Sequence, residues 1–140
     1  MTVAELEAST EIDVLVEHHW FGVGDPDSTE DTPIPDPGAW FAAGDSLVMF
    51  QSEEDIVRAR LHLEWHTDRP PLDSAQWPHS TEIDLHLPSG VFTVDEGVAG
   101  VTGPVFTVPA GRYRARLGWR PAPPSTTEPE AYALVSFWPA

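Results

Sequence analysis

Histidines alternating with acids are the first residues of this chain that suggest chemistry: His62, Glu64 and His66 in one segment, Asp84 and His86 in another. A zinc ion needs three or four ligands converging at about 2.0 Å, whereas strand side chains two apart stand roughly 7 Å from each other. One strand cannot close such a site, so these side chains read as solvated surface groups and no metal is expected. The run from Asp25 through Asp27, Glu30 and Asp31 offers carboxylates as a calcium loop does. Its sixth position is Glu30 rather than glycine, and its twelfth is Asp36 rather than a bidentate glutamate. Gly97, Gly100 and Gly103 are spaced like a phosphate cradle, yet Pro104 opens a strand where a helix N-terminus would be needed, so a flexible hairpin connection is expected. Ser46, Ser80 and Ser89 lack the Gly-x-Ser-x-Gly elbow, there is no cysteine, and carboxylates are too numerous for any pair to stand out. No catalytic site, no cofactor and no enzyme activity are expected.

Arg112, Arg114 and Arg116 line one side of a segment whose other side carries Tyr113, Ala115, Leu117 and Trp119. With Glu64, Glu82 and Asp84 available across neighbouring strands, this stripe reads as a charge ladder ahead of a basic docking face.

The elements that must carry these groups alternate with period two, which is the pattern of half-buried strands. Glu11–Trp20, Ser46–Gln51, Ile56–His66, Thr81–Leu87, Val91–Val94, Val105–Val108, Arg112–Arg120 and Ala131–Trp138 give about eight strands. Turns at 52–55, 88–90 and 109–111 predict three hairpins between successive strands. Asp36 followed by Pro37 reads as an N-cap with proline at the first helical position, giving one short helical turn that ends near Gly44. Residues 1–9 are expected to be a flexible N-terminus, and 22–38 and 121–130 proline-rich loops. The expectation is a single all-β domain over 1–140, an antiparallel β-sandwich with a partly open barrel as second choice. Its core should include Val14, Leu61, Leu63, Leu85, Tyr113, Leu117 and Trp119.

Twenty-three acids against seven arginines and no lysine give a formal charge of −16. Such a surface repels nucleic acid and anionic membrane and speeds encounter with basic proteins, although acidity also serves solubility alone. No run of about 20 apolar residues is present, and the first residues are acidic rather than signal-like, so a cytoplasmic protein is expected.

Residues 16–23 (Val-Glu-His-His-Trp-Phe-Gly-Val), 44–50 running into 58–63, and 104–114 (Pro-Val-Phe-Thr-Val-Pro-Ala-Gly-Arg-Tyr-Arg), with 131–135 as a matching last strand, form an ordered set of features. This set resembles the competence protein J family, small acidic bacterial proteins that inhibit a partner DNA-entry nuclease. The resemblance implies the fold and an inhibitor or immunity role toward a basic partner such as a nuclease or toxin, and it brings no catalytic motif. The alternative is a ligand-binding or enzymatic sandwich that uses a pocket near its loops. For the first, the expected partner-binding residues are Asp25, Asp27, Glu30, Asp31 and Asp36 of one loop and Glu53, Glu54 and Asp55 of one turn, eight carboxylates with no basic residue among them.

Overall fold

The computed structural model describes residues 3–97, 100–123 and 129–140. Among these residues there are ten strands: β1 (Leu6–Val16), β2 (Trp20–Gly24), β3 (Phe41–Ala43), β4 (Leu47–Gln51), β5 (Val57–His66), β6 (His79–Leu87), β7 (Val91–Asp95), β8 (Val101–Thr107), β9 (Gly111–Pro121) and β10 (Ala131–Pro139). They form two five-stranded sheets, ordered β1-β5-β10-β9-β6 and β3-β4-β2-β7-β8. The all-β sandwich is therefore present, with antiparallel pairing throughout except between β5 and β10, which run parallel from Ala59 opposite Ala131 to Trp65 opposite Phe137.

Alternation explains which face each strand buries. Val57, Ala59, Leu61 and Leu63 of β5 point into the sandwich together with Tyr113, Ala115, Leu117 and Trp119 of β9, and the second sheet answers with Phe21, Val23, Val48, Phe50, Phe92 and Val94. All seven residues expected in the core are buried. Rings join the sheets: Phe50 stacks on Trp119 at 6.1 Å and Phe92 meets Phe137 at 5.3 Å, while within the second sheet Phe21 stacks on Phe50 at 5.2 Å. Offset and tilted pairs at these spacings add to the area they bury.

None of the three expected hairpins forms. β4 and β5, β6 and β7, and β8 and β9 lie in opposite sheets, so the turns at 52–56, 88–90 and 108–110 carry the chain across the sandwich. Gly, Pro and acidic residues reverse or redirect a chain equally well, and which strand is then met is decided by core packing. The first segment, expected as one strand, is two: β1 ends at Val16 and β2 begins at Trp20, joined by a Glu17–Trp20 bridge around His18 and His19. The helical turn expected at 36–44 is instead one β-turn, with Ala39 N–H donating to Asp36 O at 3.0 Å, followed by β3. β3 pairs Phe41 with Phe50 and Ala43 with Val48, and this ladder overrides the local capping signal. The N-terminal segment expected to be flexible is ordered from Leu6 as β1 against β5, and residues 22–24 of the expected loop belong to β2. Of the loop expected at 121–130, residues 124–128 lie outside those described, as do 98–99 of the glycine-rich connection. That connection does join the β7–β8 hairpin. No helix among the described residues is long and apolar enough to cross a membrane.

Candidate functional site

The sheet pairings divide the eight expected docking carboxylates between two ends of the second sheet. β2 and β4 run antiparallel with Trp20 opposite Gln51 and Gly24 opposite Leu47. The loop bearing Asp25, Asp27, Glu30 and Asp31 therefore leaves at the Leu47 end, and the turn bearing Glu53, Glu54 and Asp55 lies at the Gln51 end, about 13 Å away at a rise of about 3.3 Å per residue. Asp36 alone of the loop returns to the Gln51 end, where its carbonyl accepts from Gln51 Nε2 at 2.9 Å.

Two of the eight are engaged inside the protein. Asp25 is fully buried. Its Oδ1 accepts from Asp27 N–H at 2.9 Å and the Ser89 hydroxyl at 2.7 Å, and its Oδ2 from the N–H groups of Ser89 at 2.8 Å and Gly90 at 3.0 Å. Burial alone would raise its pKa, but the hydrogen bonds from the Ser89 hydroxyl and from Asp27, Ser89 and Gly90 N–H outweigh it and hold the carboxyl below its ordinary value. Gly90 has φ +78° and its missing Cβ leaves room for the neighbouring Val108 carbonyl, so this turn needs glycine. Glu30 in turn accepts from Asp45, Ser46 and Leu47 N–H at 2.7, 2.8 and 2.9 Å, capping the start of β4. Asp25 and Glu30 thus fasten loops to sheets. Asp27, Asp31, Asp36, Glu53, Glu54 and Asp55 are exposed.

At the Gln51 end the β4–β5 crossing and the 37–40 segment face each other across a groove of about 910 Å³. Its floor is Trp40, Trp119 and Val57, and its rim carries Glu53, Glu54 and Glu130 beside Ile56, whose side chain is 63 % exposed. Trp40 is held in place by rings, 4.6 Å from Phe41 and 6.0 Å from His79. Glu53 and Glu54 have no ion pair among the described residues.

His18 and His19 form the adjoining tip. Both adopt left-handed backbone, φ 54° and 73°, the conformation of a two-residue turn that ordinarily takes Asn-Gly. Three contacts hold it against the acidic turn: His19 N–H donates to Asp55 O at 3.1 Å, Ser52 N–H to His19 O at 2.8 Å, and His19 Nδ1 meets Ser52 O at 3.0 Å. The imidazoles also approach Asp55, at 4.0 Å from His18 and 3.8 Å from His19. Backbone held in a costly region by surrounding contacts marks this tip as a site candidate. Sequence reading missed His18, His19, Trp40, Ile56 and Glu130 as site residues. The one available signal was the His-His pair, whose turn geometry no residue preference announces.

Arginines occupy the opposite face. All seven lie on the first sheet or on its β5–β6 connection, whereas Glu17 through Asp55 contains ten acids and no arginine. The stripe on β9 is a cross-strand ladder with β6: Arg114 Nη1 reaches Asp84 at 2.9 Å and Arg116 Nη2 reaches Glu82 at 3.2 Å. Arg69 adds a short contact to Glu82, 2.6 Å from Nη2, and Arg60 pairs with Asp13 at 2.9 Å. The Arg69 hydrogen bond, opposed by burial and reinforced by Arg116, holds the Glu82 carboxyl below its ordinary value. The histidines raised as metal candidates diverge: His62 turns to Glu11, His66 to Glu64 and His86 to Asp45. Among the described residues no three ligand side chains converge.

Two five-stranded sheets packed face to face form a β-sandwich. It is shared from end to end with ComJ, inhibitor of the DNA degrading activity of NucA, from Bacillus subtilis, at 17 % identity and a TM-score of 0.68 over 99 % of this chain and 100 % of that one. The product of crocagin biosynthetic gene J has the same fold, at 18 % identity and a TM-score of 0.61, covering 99 % of both chains. No family model and no curated protein sequence matches.

Proposed function

We propose that this protein is an inhibitor that docks on a basic protein, a nuclease in the first instance, through the Gln51 end of its second sheet. The observation that carries the reading is the groove itself: an apolar floor of Trp40, Trp119 and Val57 under the exposed carboxylates Glu53 and Glu54, with Asp55 and Asp36 beside them. An interface of this kind anchors apolar side chains at its centre and places charge at its rim. A nuclease cleft is built for closely spaced phosphates, and a rim of carboxylates presents the same sign of charge. The segment Glu17 through Asp55, which supplies much of this end, carries ten acids and no arginine, a balance that steers encounter with a basic surface. The full-length fold shared with a nuclease inhibitor supports the choice of partner. The reading narrows the docking carboxylates to Asp36, Glu53, Glu54 and Asp55. Asp27 and Asp31 act at a distance, and Asp25 and Glu30 serve the fold. The test is inhibition of DNA degradation by the purified protein, compared with a variant neutralised at Glu53, Glu54 and Asp55. Equal inhibition by the two would move the docking surface elsewhere.

A further inference from the structure

On the face of the first sheet that points away from the second, the β5–β6 connection folds back as a roof. Trp77 is buried there against Gly118, where a Cβ would come within 2.7 Å of the indole, and Pro70 O accepts from Arg116 Nη1 at 2.9 Å. Between roof and sheet lies a cavity of about 290 Å³ with Leu72 and Leu134 on its walls.

Two polar side chains lining it each hold a buried atom with no hydrogen-bond partner among the described residues. Ser136 is only 2 % exposed, and its hydroxyl makes no hydrogen bond. Arg120 is stacked between the rings of Tyr132 and Trp77, its guanidinium carbon 4.1 and 5.1 Å from their centroids. Its Nε is buried without a hydrogen-bond partner. Arg60, Arg69, Arg112, Arg114 and Arg116 each lie within 4 Å of a carboxylate, whereas among the described residues none approaches Arg120. In a chain with 23 acids, a stacked cation without one leaves an acceptor to be supplied from outside. Stacking fixes the guanidinium plane, so a planar oxyanion admitted to the cavity would meet its N–H groups edge-on.

We propose that this cavity binds a small carboxylate-bearing molecule, with the carboxylate on the edge of Arg120, an apolar body against Leu72 and Leu134, and a hydrogen-bonding group at Ser136. The Arg120–Tyr132 and Arg116–Ser136 rows are four residues apart, about 13 Å along the strands before the reach of Arg120 shortens the gap. The occupant is therefore elongated. At about 30 Å³ per water, the volume matches roughly ten non-hydrogen atoms. Glu64 and Asp73 on the same walls oppose a dianion more than a monoanion, which favours carboxylate over phosphate. A free organic acid and a peptide C-terminus present the same group.

The test is a titration of the intact protein followed by nuclear magnetic resonance at the Trp77 indole N–H and the Arg120 Nε–H. The probes are 6-hydroxyhexanoate, hexanoate and acetyl-Ala-Ala-Leu with a free carboxyl, together with the amide of each. Saturable shifts at both groups are expected for at least one acid, with its amide binding at least tenfold more weakly; which acid binds better identifies the source. Arg120→Lys keeps the charge but loses the fork, and should weaken acid binding at least tenfold. Ser136→Ala should erase the preference for 6-hydroxyhexanoate over hexanoate, a readout that does not depend on the arginine variant folding. Equal binding of acids and amides, or no saturable shift at Trp77 with any acid, would overturn the proposal. Nuclease inhibition is not part of this readout, so the two sites stand or fall separately.

Discussion

Replacing Asp25 with alanine should destabilise the fold more than any other single change to an acid in the chain. Three N–H groups and one hydroxyl converge on this carboxylate at 2.7–3.0 Å, and the side chain is fully buried. Hydrogen bonds to a charged group contribute about 1.5–3 kcal/mol each, but the effects are not additive, and water entering the vacated space restores part of the loss. The Ser89 hydroxyl can rotate away, whereas Ser89 and Gly90 N–H are fixed by the β6–β7 crossing and remain without an acceptor. A net cost of about 3–5 kcal/mol follows, which at a urea slope of about 1.5 kcal/mol per molar lowers the midpoint by roughly 2–3 M. Asp25→Asn retains one carbonyl oxygen but turns an NH₂ toward donors, and should cost about half to all of that. The pH dependence has a fixed sign. Because the folded carboxyl titrates below its ordinary 3.8, its contribution is complete above that value and is lost as pH falls through the lower folded value. Urea unfolding at pH 7 and near pH 3 measures both. A cost under about 1 kcal/mol at pH 7, or one that does not shrink in acid, would refute the view that this carboxylate ties the loop after β2 to the β6–β7 crossing.

Leu61→Ala removes a fully buried side chain at the centre of β5 and should cost about 2–5 kcal/mol by denaturant unfolding, while a cost under about 0.5 kcal/mol would place it outside the core. Changing His18 and His19 to Asn and Gly suits the left-handed turn better and should relieve about 1 kcal/mol or more of backbone strain while removing the imidazoles beside Asp55. Thermal unfolding should therefore show a more stable protein. Glu82→Gln removes the shared partner of Arg69 and Arg116 and should cost on the order of 1–3 kcal/mol at neutral pH. That difference should fade as pH falls below the ordinary 4.5, because the folded carboxyl is depressed and its contribution exists only where it is ionised.

Much of the sandwich was legible because alternation is a local signal. Val57 through Trp65 and Tyr113 through Trp119 declare their buried faces without reference to any partner, and the arginines of β9 declare theirs. Pairing was not legible. β1 meets β5, and β5 meets β10 in parallel, across long stretches of chain, and nothing in Ser52–Asp55 or Pro88–Gly90 tells a hairpin turn from a sheet crossing. The helix signal at Asp36-Pro37 was equally local, and the ladder between Phe41 and Phe50 outweighed it. Asp25, Glu30 and Glu53 are the same kind of residue in composition. Only the fold shows that one is buried under four donors, one caps β4, and one stands free at a groove. The groove itself joins residues from 19 to 131, which is why its aromatic floor went unseen.

The most direct measurement is the rate of association with a DNA-degrading enzyme, NucA and nucleases of the native lysate among those tried, as salt rises from low to physiological strength. If Glu53, Glu54 and Asp55 steer docking, they do so over a Debye length that shrinks to about 8 Å at 0.15 M, so the association rate should fall steeply while dissociation changes little. Glu53→Gln, Glu54→Gln and Asp55→Asn combined should flatten that salt dependence and weaken inhibition without lowering the melting temperature, since exposed like charges contribute little to folding. Inhibition whose association rate ignores salt, or which survives the triple change intact, would contradict docking through this end of the molecule, as would failure to inhibit any nuclease tested.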